Sequence, residues 1–116
     1  MDDAPLAFFS EPRTPAEIEI RVNFGVFAGR EVTHAEIDDL ARALDGELTS
    51  VAIVALRRHE LADGHEAAAH QVKVEANLRD AREPGSRDEL AARLLALTTG
   101  WAEACISFRH AEVTEA

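Results

Sequence analysis

The chain has 116 residues, of which 47% are hydrophobic and 29% are charged, a balance that fits one globular domain rather than a disordered chain. The formal net charge of -10 argues against nucleic acid and against an anionic membrane surface as partners, because both are bound mainly through lysine and arginine. The only cysteine, Cys105, excludes an internal disulfide and predicts a reducing, cytoplasmic location.

The N-terminal segment, residues 1–14, is predicted to be an irregular arm. Pro5 and Pro12, with Pro15 at the boundary, remove backbone donors and interrupt regular hydrogen bonding. The remaining residues, 15–114, are predicted to form a single α+β domain.

A strand and a helix follow the arm. Apolar and polar residues alternate over 18–26, which is typical of a strand with one buried face. Thr33 and Glu36 then form the sequence pattern of a capping box, which predicts a helix over 33–45. The Asp-Gly pair that follows supplies the stop signal.

A hairpin comes next. Residues 51–56 are apolar without alternation and predict a strand, and residues 72–78 alternate and predict a second one. Asp63-Gly64 is a strong signal for a two-residue turn between them. That turn fixes a register in which Ala55 lies opposite Val72 and every apolar pair falls on one face.

The last elements are a helix and a strand. Ser86 and Glu89 form a second capping box, which predicts a helix over 86–104, and residues 106–113 are predicted to form a final strand. The resulting order is βαββαβ. It predicts a ferredoxin-like two-layer sandwich, with a four-stranded antiparallel sheet and both helices on one face.

The first candidate binding segment is the loop Gly25–Arg30, which leads toward the start of the first helix. The backbone of Gly29 and Thr33, together with the Arg30 guanidinium, is predicted to hold a phosphate or a carboxylate. Glu31 and Glu36 would oppose an anion there. The alternative is that the glycines shape a turn and Thr33 alone satisfies the helix end.

The second candidate is the histidine-rich hairpin. The predicted register places His59 diagonal to His70, with Glu66 on the same face. Two imidazoles and a carboxylate suit zinc or another divalent metal, and no other cofactor is predicted. Arg57 lies opposite His70 and would repel a cation. The alternative is a solvated hairpin without a metal.

The third candidate is a surface for self-association. Ala52, Val54 and Leu56 are predicted to point away from the core on an edge strand, where unpaired backbone groups and apolar side chains invite a second copy. The alternative is that residues 6–9 fold back and cover this strip within one chain.

No residue pattern indicates a catalytic centre. The sequence therefore favours a non-catalytic cytoplasmic module that binds itself, as a homodimer, or another protein. The alternatives are a small-molecule or anion-binding domain, or a small enzyme, that uses the Gly25–Arg30 loop, and a metal-binding protein that uses His59 and His70.

Overall fold

The structure is a computed structural model that describes residues 5–13, 15–62 and 65–115, with side chains described over 5–13, 15–57 and 70–107. Four strands form one antiparallel sheet in the order β1-β2-β4-β3, and helices accompany it, which confirms the α+β class. The elements are, in chain order, β1 (Ala7–Ser10), β2 (Ile18–Val22), α1 (Phe24–Ala28), α2 (His34–Asp45), β3 (Ala52–Ala62), β4 (His65–Ala76), a single 3-10 turn (Leu78–Asp80) and α3 (Arg87–Glu115).

Both predicted capping boxes are confirmed. The Thr33 hydroxyl accepts a hydrogen bond from the Glu36 backbone N–H (3.2 Å), and the Glu36 carboxylate accepts from the Thr33 N–H (2.9 Å). Ser86 and Glu89 make the same pair of bonds, at 3.1 and 2.9 Å. These reciprocal bonds satisfy N–H groups that a helix start leaves unpaired, so α2 and α3 begin where the sequence predicts.

The predicted hairpin register is also confirmed. Ala55 lies opposite Val72, His59 opposite Ala68, and Arg57 opposite His70. The turn residues predicted to set this register, 63 and 64, lie outside the described residues.

The predicted final strand is wrong. Residues 106–113 continue α3, which runs for 29 residues without a break. No proline follows Trp101, so nothing in the sequence ends the helix at 104. Cys105 and Ile106 pack against the core from this helix.

The position beside β2 is taken by β1 instead. Residues 7–10, expected to be irregular, pair antiparallel with β2, with Phe9 opposite Ile20 and Ala7 opposite Val22. The ferredoxin-like order is therefore not confirmed, because the edge of the sheet that it gives to the last strand is formed by the N-terminal segment.

The first predicted strand is shorter than expected. β2 ends at Val22, and residues 24–28 form the short helix α1. Phe24 is fully buried, whereas Val26, expected on the apolar face of a strand, is 65% exposed. A Cβ on Gly25 would lie only 3.0–3.2 Å from the Cβ and backbone of His70, so α1 can approach β4 this closely only with glycine there.

The core lies between one face of the sheet and the helices. Ile20 and Val74 from the sheet, Leu40 and Leu44 from α2, and Leu94 from α3 are each at most 1% exposed. Each such side chain contributes about 2 kcal/mol through its burial. Over the described residues, no helix has the length and hydropathy needed to cross a membrane.

The other face of the sheet carries a polar network. Glu19 accepts hydrogen bonds from the Ser10 hydroxyl and from Arg21 Nε (2.9 Å). Arg21 also donates to Gln71 (3.3 Å), whose amide donates to Asn23 (2.8 Å). This network joins β1, β2 and β4 and leaves Glu19 only 2% exposed. β1 is thus attached by side chains as well as by its backbone.

Candidate functional site

The predicted self-association surface lies on β3, at one edge of the sheet. β3 pairs with β4 on one side, and no strand among the described residues pairs with its other side. Ala52 is exposed, Val54 is 38% exposed and Leu56 is half-buried. The open edge of β3 together with these three side chains is called the β3 edge below.

The side chains beside this strip are polar, as the alternation of β4 predicted. Val54 lies opposite Lys73, Ala52 opposite Glu75, and Leu56 opposite Gln71. Ile53, which points to the other face, is packed against the core. Ala52, Val54 and Leu56 therefore form an apolar strip along the edge of the otherwise polar face of the sheet.

Residues 51–56 of the β3 edge lack the usual devices that prevent strand pairing. Natural edge strands are protected by charged residues, proline, bulges or short length. Residues 51–56 contain no charge, proline or glycine, whereas the following part of β3 carries charged residues at 57, 58 and 60. Such an uninterrupted apolar segment is suited to pairing with another strand.

The segment proposed as an alternative cover lies elsewhere. Residues 7–10 form β1, at the opposite edge of the sheet from β3. Leu6 and Ala7 pack against the core there. Residues 6–9 therefore do not cover Val54, and the alternative in which they do is wrong.

The predicted anion site has a different arrangement. Gly29 ends α1 in the left-handed conformation (φ 74°) that glycine adopts readily. Arg30 donates two hydrogen bonds to Glu36, from Nη1 to Oε1 (2.8 Å) and from Nη2 to Oε2 (2.6 Å). Thr33 is engaged in its capping box with the same carboxylate. Glu36 thus occupies the position expected for a bound anion.

The electrostatics agree with this geometry. The hydrogen bonds from Arg30 outweigh burial and, with those from Thr33, lower the pKa of Glu36 to about 2. Burial and the neighbouring Glu36 carboxylate raise the pKa of the Cys105 thiol to about 12. The carboxylate is therefore charged and the thiol protonated at neutral pH, so Cys105 is unsuited to nucleophilic chemistry.

These groups line a cleft of about 630 Å³ between α2 and α3. Trp101 forms part of its wall and donates from Nε1 to the Glu36 carbonyl (2.8 Å). The sequence predicted Arg30 and Thr33 here but assigned Trp101 simply to the core, because helical spacing alone does not show that α3 meets the start of α2. The charges of Arg30 and Glu36 in this cleft already compensate each other.

The predicted metal site is described only in part. His59 and Glu66 lie in strands whose backbone pairing is as predicted, but their side chains are outside the described residues. His70 Nδ1 lies 3.4 Å from a carboxylate oxygen of Glu31. Within the described ranges, no group of three or more histidine, cysteine, aspartate and glutamate side chains is arranged to hold a metal. The metal site stays a prediction.

Comparisons with protein-family models, with curated proteins and with solved structures find no match for this chain. Its function is therefore inferred from the geometry of its own residues.

Proposed function

We propose that this protein is a non-catalytic, self-associating module whose β3 edge pairs with the β3 edge of a second copy. The observation that supports this most is the position of the open edge. It carries an uncharged apolar segment, residues 51–56, and the only other segment proposed to cover it forms β1 at the far side of the sheet. The single cysteine supports our proposal of a cytoplasmic location.

A second copy fits this edge because a two-fold axis sets the strip of Ala52, Val54 and Leu56 in one chain against the same strip in the other. With the axis perpendicular to the sheet near Val54, antiparallel pairing sets Val54 opposite the partner's Val54, and Ala52 opposite the partner's Leu56. Every contact on the outer face is then apolar. Backbone groups along β3 gain partners, and the two sheets become one sheet of eight strands.

The test is the mass of the full chain in solution, measured by light scattering between 1 and 100 µM. Weak homodimers form in roughly this range of concentration. The variant is Val54→Glu. Its carboxylate would lie opposite Lys73, so the monomer should fold normally. In a dimer two such carboxylates would face each other, and we expect the dissociation constant of the dimer to rise by at least about a hundredfold.

The matched control is Val26→Glu, the same change at an apolar residue that is 65% exposed on α1. We expect the wild type and Val26→Glu to be dimers, and Val54→Glu to be a monomer with an unchanged circular dichroism spectrum. A monomeric wild type at 100 µM, or a dimer that persists in Val54→Glu, would overturn the proposal.

A further inference from the structure

A second cavity lies beside the start of α2. It has a volume of about 240 Å³ and lies between the segment that enters α2 and the middle of the β3–β4 hairpin. Its lining residues come from three places: Phe24 in α1, the segment 31–37, and the strand segments 55–57 and 70–72.

The floor of this cavity is apolar. Phe24 and Val72 are fully buried beneath it, and Val32 and Ile37 form its helix-side wall. Ala55, which shares the core-facing side of the sheet with Val72, is exposed, so the floor is open to solvent at this point. An open apolar floor of this size favours a ligand with a small apolar body.

The polar side chains around the cavity are one arginine, two histidines, one glutamine and one glutamate. Arg57 lies directly opposite His70 in the hairpin, and His34 comes from the first turn of α2. Glu31 is the one acidic lining residue, and it is 66% exposed beside His70. Arg57 is the one arginine of the lining and therefore the group suited to an anion.

Arg57 differs from Arg30 in its pairing. Arg30 is held by both oxygens of Glu36, whereas Arg57 forms no salt bridge with any of the side chains that the structure describes. An arginine guanidinium offers parallel N–H donors that match the two oxygens of a carboxylate. The same charge that opposes a metal at His70 therefore favours an anion beside the apolar floor.

We propose that this cavity binds a small organic carboxylate, with its apolar body against Val32, Ile37 and Ala55 and its carboxylate at Arg57. A volume of about 240 Å³ lies just below the usual range of ligand pockets, which restricts the ligand to a small molecule such as benzoate. This site is separate from the anion site predicted at Arg30, and it does not depend on self-association.

The test uses benzoate as the probe and follows backbone amide resonances of the full chain during titration. We expect saturable shifts centred on residues 31–37, 55–57 and 70–72. Benzamide, which lacks the charge, and acetate, which lacks the apolar body, should each bind about tenfold more weakly. The titration is repeated on Val54→Glu, where binding should persist if the site belongs to one chain.

Two variants locate the site. Arg57→Gln should weaken benzoate binding by about tenfold, because it removes the charge and keeps a similar length. Arg79→Gln is the control, since Arg79 is an exposed arginine that lines other surface pockets and also has no salt bridge among the described side chains. Ala55→Leu should reduce binding by filling the open floor.

The proposal is overturned if benzoate produces no saturable shifts up to about 10 mM, a concentration at which even weak ligands of this kind are detected. It is also overturned if Arg57→Gln and Arg79→Gln bind benzoate equally, or if benzamide binds as tightly as benzoate. Shifts centred on Arg30 and residues 101–105, without shifts at 55–57 and 70–72, would place the anion at the α2–α3 cleft and also overturn the proposal.

Discussion

The two ends of the sheet differ in which strand forms the edge and in how long that strand is. The edge of β2 is covered by β1, a strand of four residues fastened by the Ser10–Glu19–Arg21 network. The edge formed by β3, 11 residues long, has no strand beside it in the part of the chain that the structure describes. β1 is itself an edge strand, but it offers only four residues for pairing, whereas β3 offers 11, and short edge strands limit pairing with another chain.

The two edges also differ in chemistry. The covered edge depends on a buried carboxylate, Glu19, and on the charged group that pairs with it. The part of the open edge that is proposed to pair, residues 51–56, has no ionisable side chain. We therefore expect acid and salt to affect the two edges differently, and the predictions below follow from that difference.

The largest effect is expected from removing β1. Deletion of residues 1–12 should lower the free energy of unfolding by about 3 kcal/mol, through lost backbone hydrogen bonds and the packing of Leu6 and Ala7. It should also open the edge of β2, so that light scattering detects assemblies larger than a dimer. Chemical denaturation measures the first effect.

Combining this deletion with Val54→Glu separates the two edges. If both edges pair, the added glutamate should limit the assemblies, because only β2 is then open to association. A deletion variant that keeps the stability and mass of the wild type would show that β1 does not protect the sheet.

A smaller effect is expected from acid at the covered edge. Burial raises the pKa of Glu19, but hydrogen bonds from Ser10 and Arg21 and the charges of Arg21 and Lys73 outweigh it, so the pKa is lowered below 4.5. A lowered pKa means that the carboxylate stabilises the folded state above pH 4.5 and that this stabilisation is lost as the pH falls below it.

The variant that checks this is Glu19→Gln, which should reduce the free energy of unfolding by about 1–2 kcal/mol at pH 7. The difference between the variant and the wild type should shrink as the pH falls below 4.5 in urea titrations. Glu47→Gln, at a pair with Arg93 that is more exposed, serves as the control and should change little. An equal effect of both variants would contradict the special position of Glu19.

The smallest effect is expected from salt at the open edge. Pairing through residues 51–56 contains no ion pair to screen, while the two chains, each with a net charge of -10, repel one another. Raising sodium chloride from 50 to 500 mM should therefore tighten the dimer by about twofold. Sedimentation equilibrium measures this change. Weakening by salt would indicate an interface made of ion pairs, away from the β3 edge.

The sequence predicted most reliably where the determining interactions are local. The capping boxes at Thr33 and Ser86 fixed two helix starts, because each involves residues only three positions apart. The register of β3 and β4 was predicted because a two-residue turn and the alternation of apolar residues leave one consistent pairing. The candidate strip Ala52, Val54 and Leu56 followed from that register.

The prediction failed where distant segments compete for one place. Residues 106–113 have the alternation of a strand, but in the structure they continue α3. The edge of β2 is therefore paired with β1 instead. In the same way, the pairing of Arg30 with Glu36 left that guanidinium engaged, while Arg57 lies beside an open apolar floor. Local patterns determined the starts of α2 and α3 and the register of the hairpin, whereas tertiary packing decided which segment pairs with β2, which edge stays open and which arginine faces a cavity, because these depend on contacts between residues far apart in the chain.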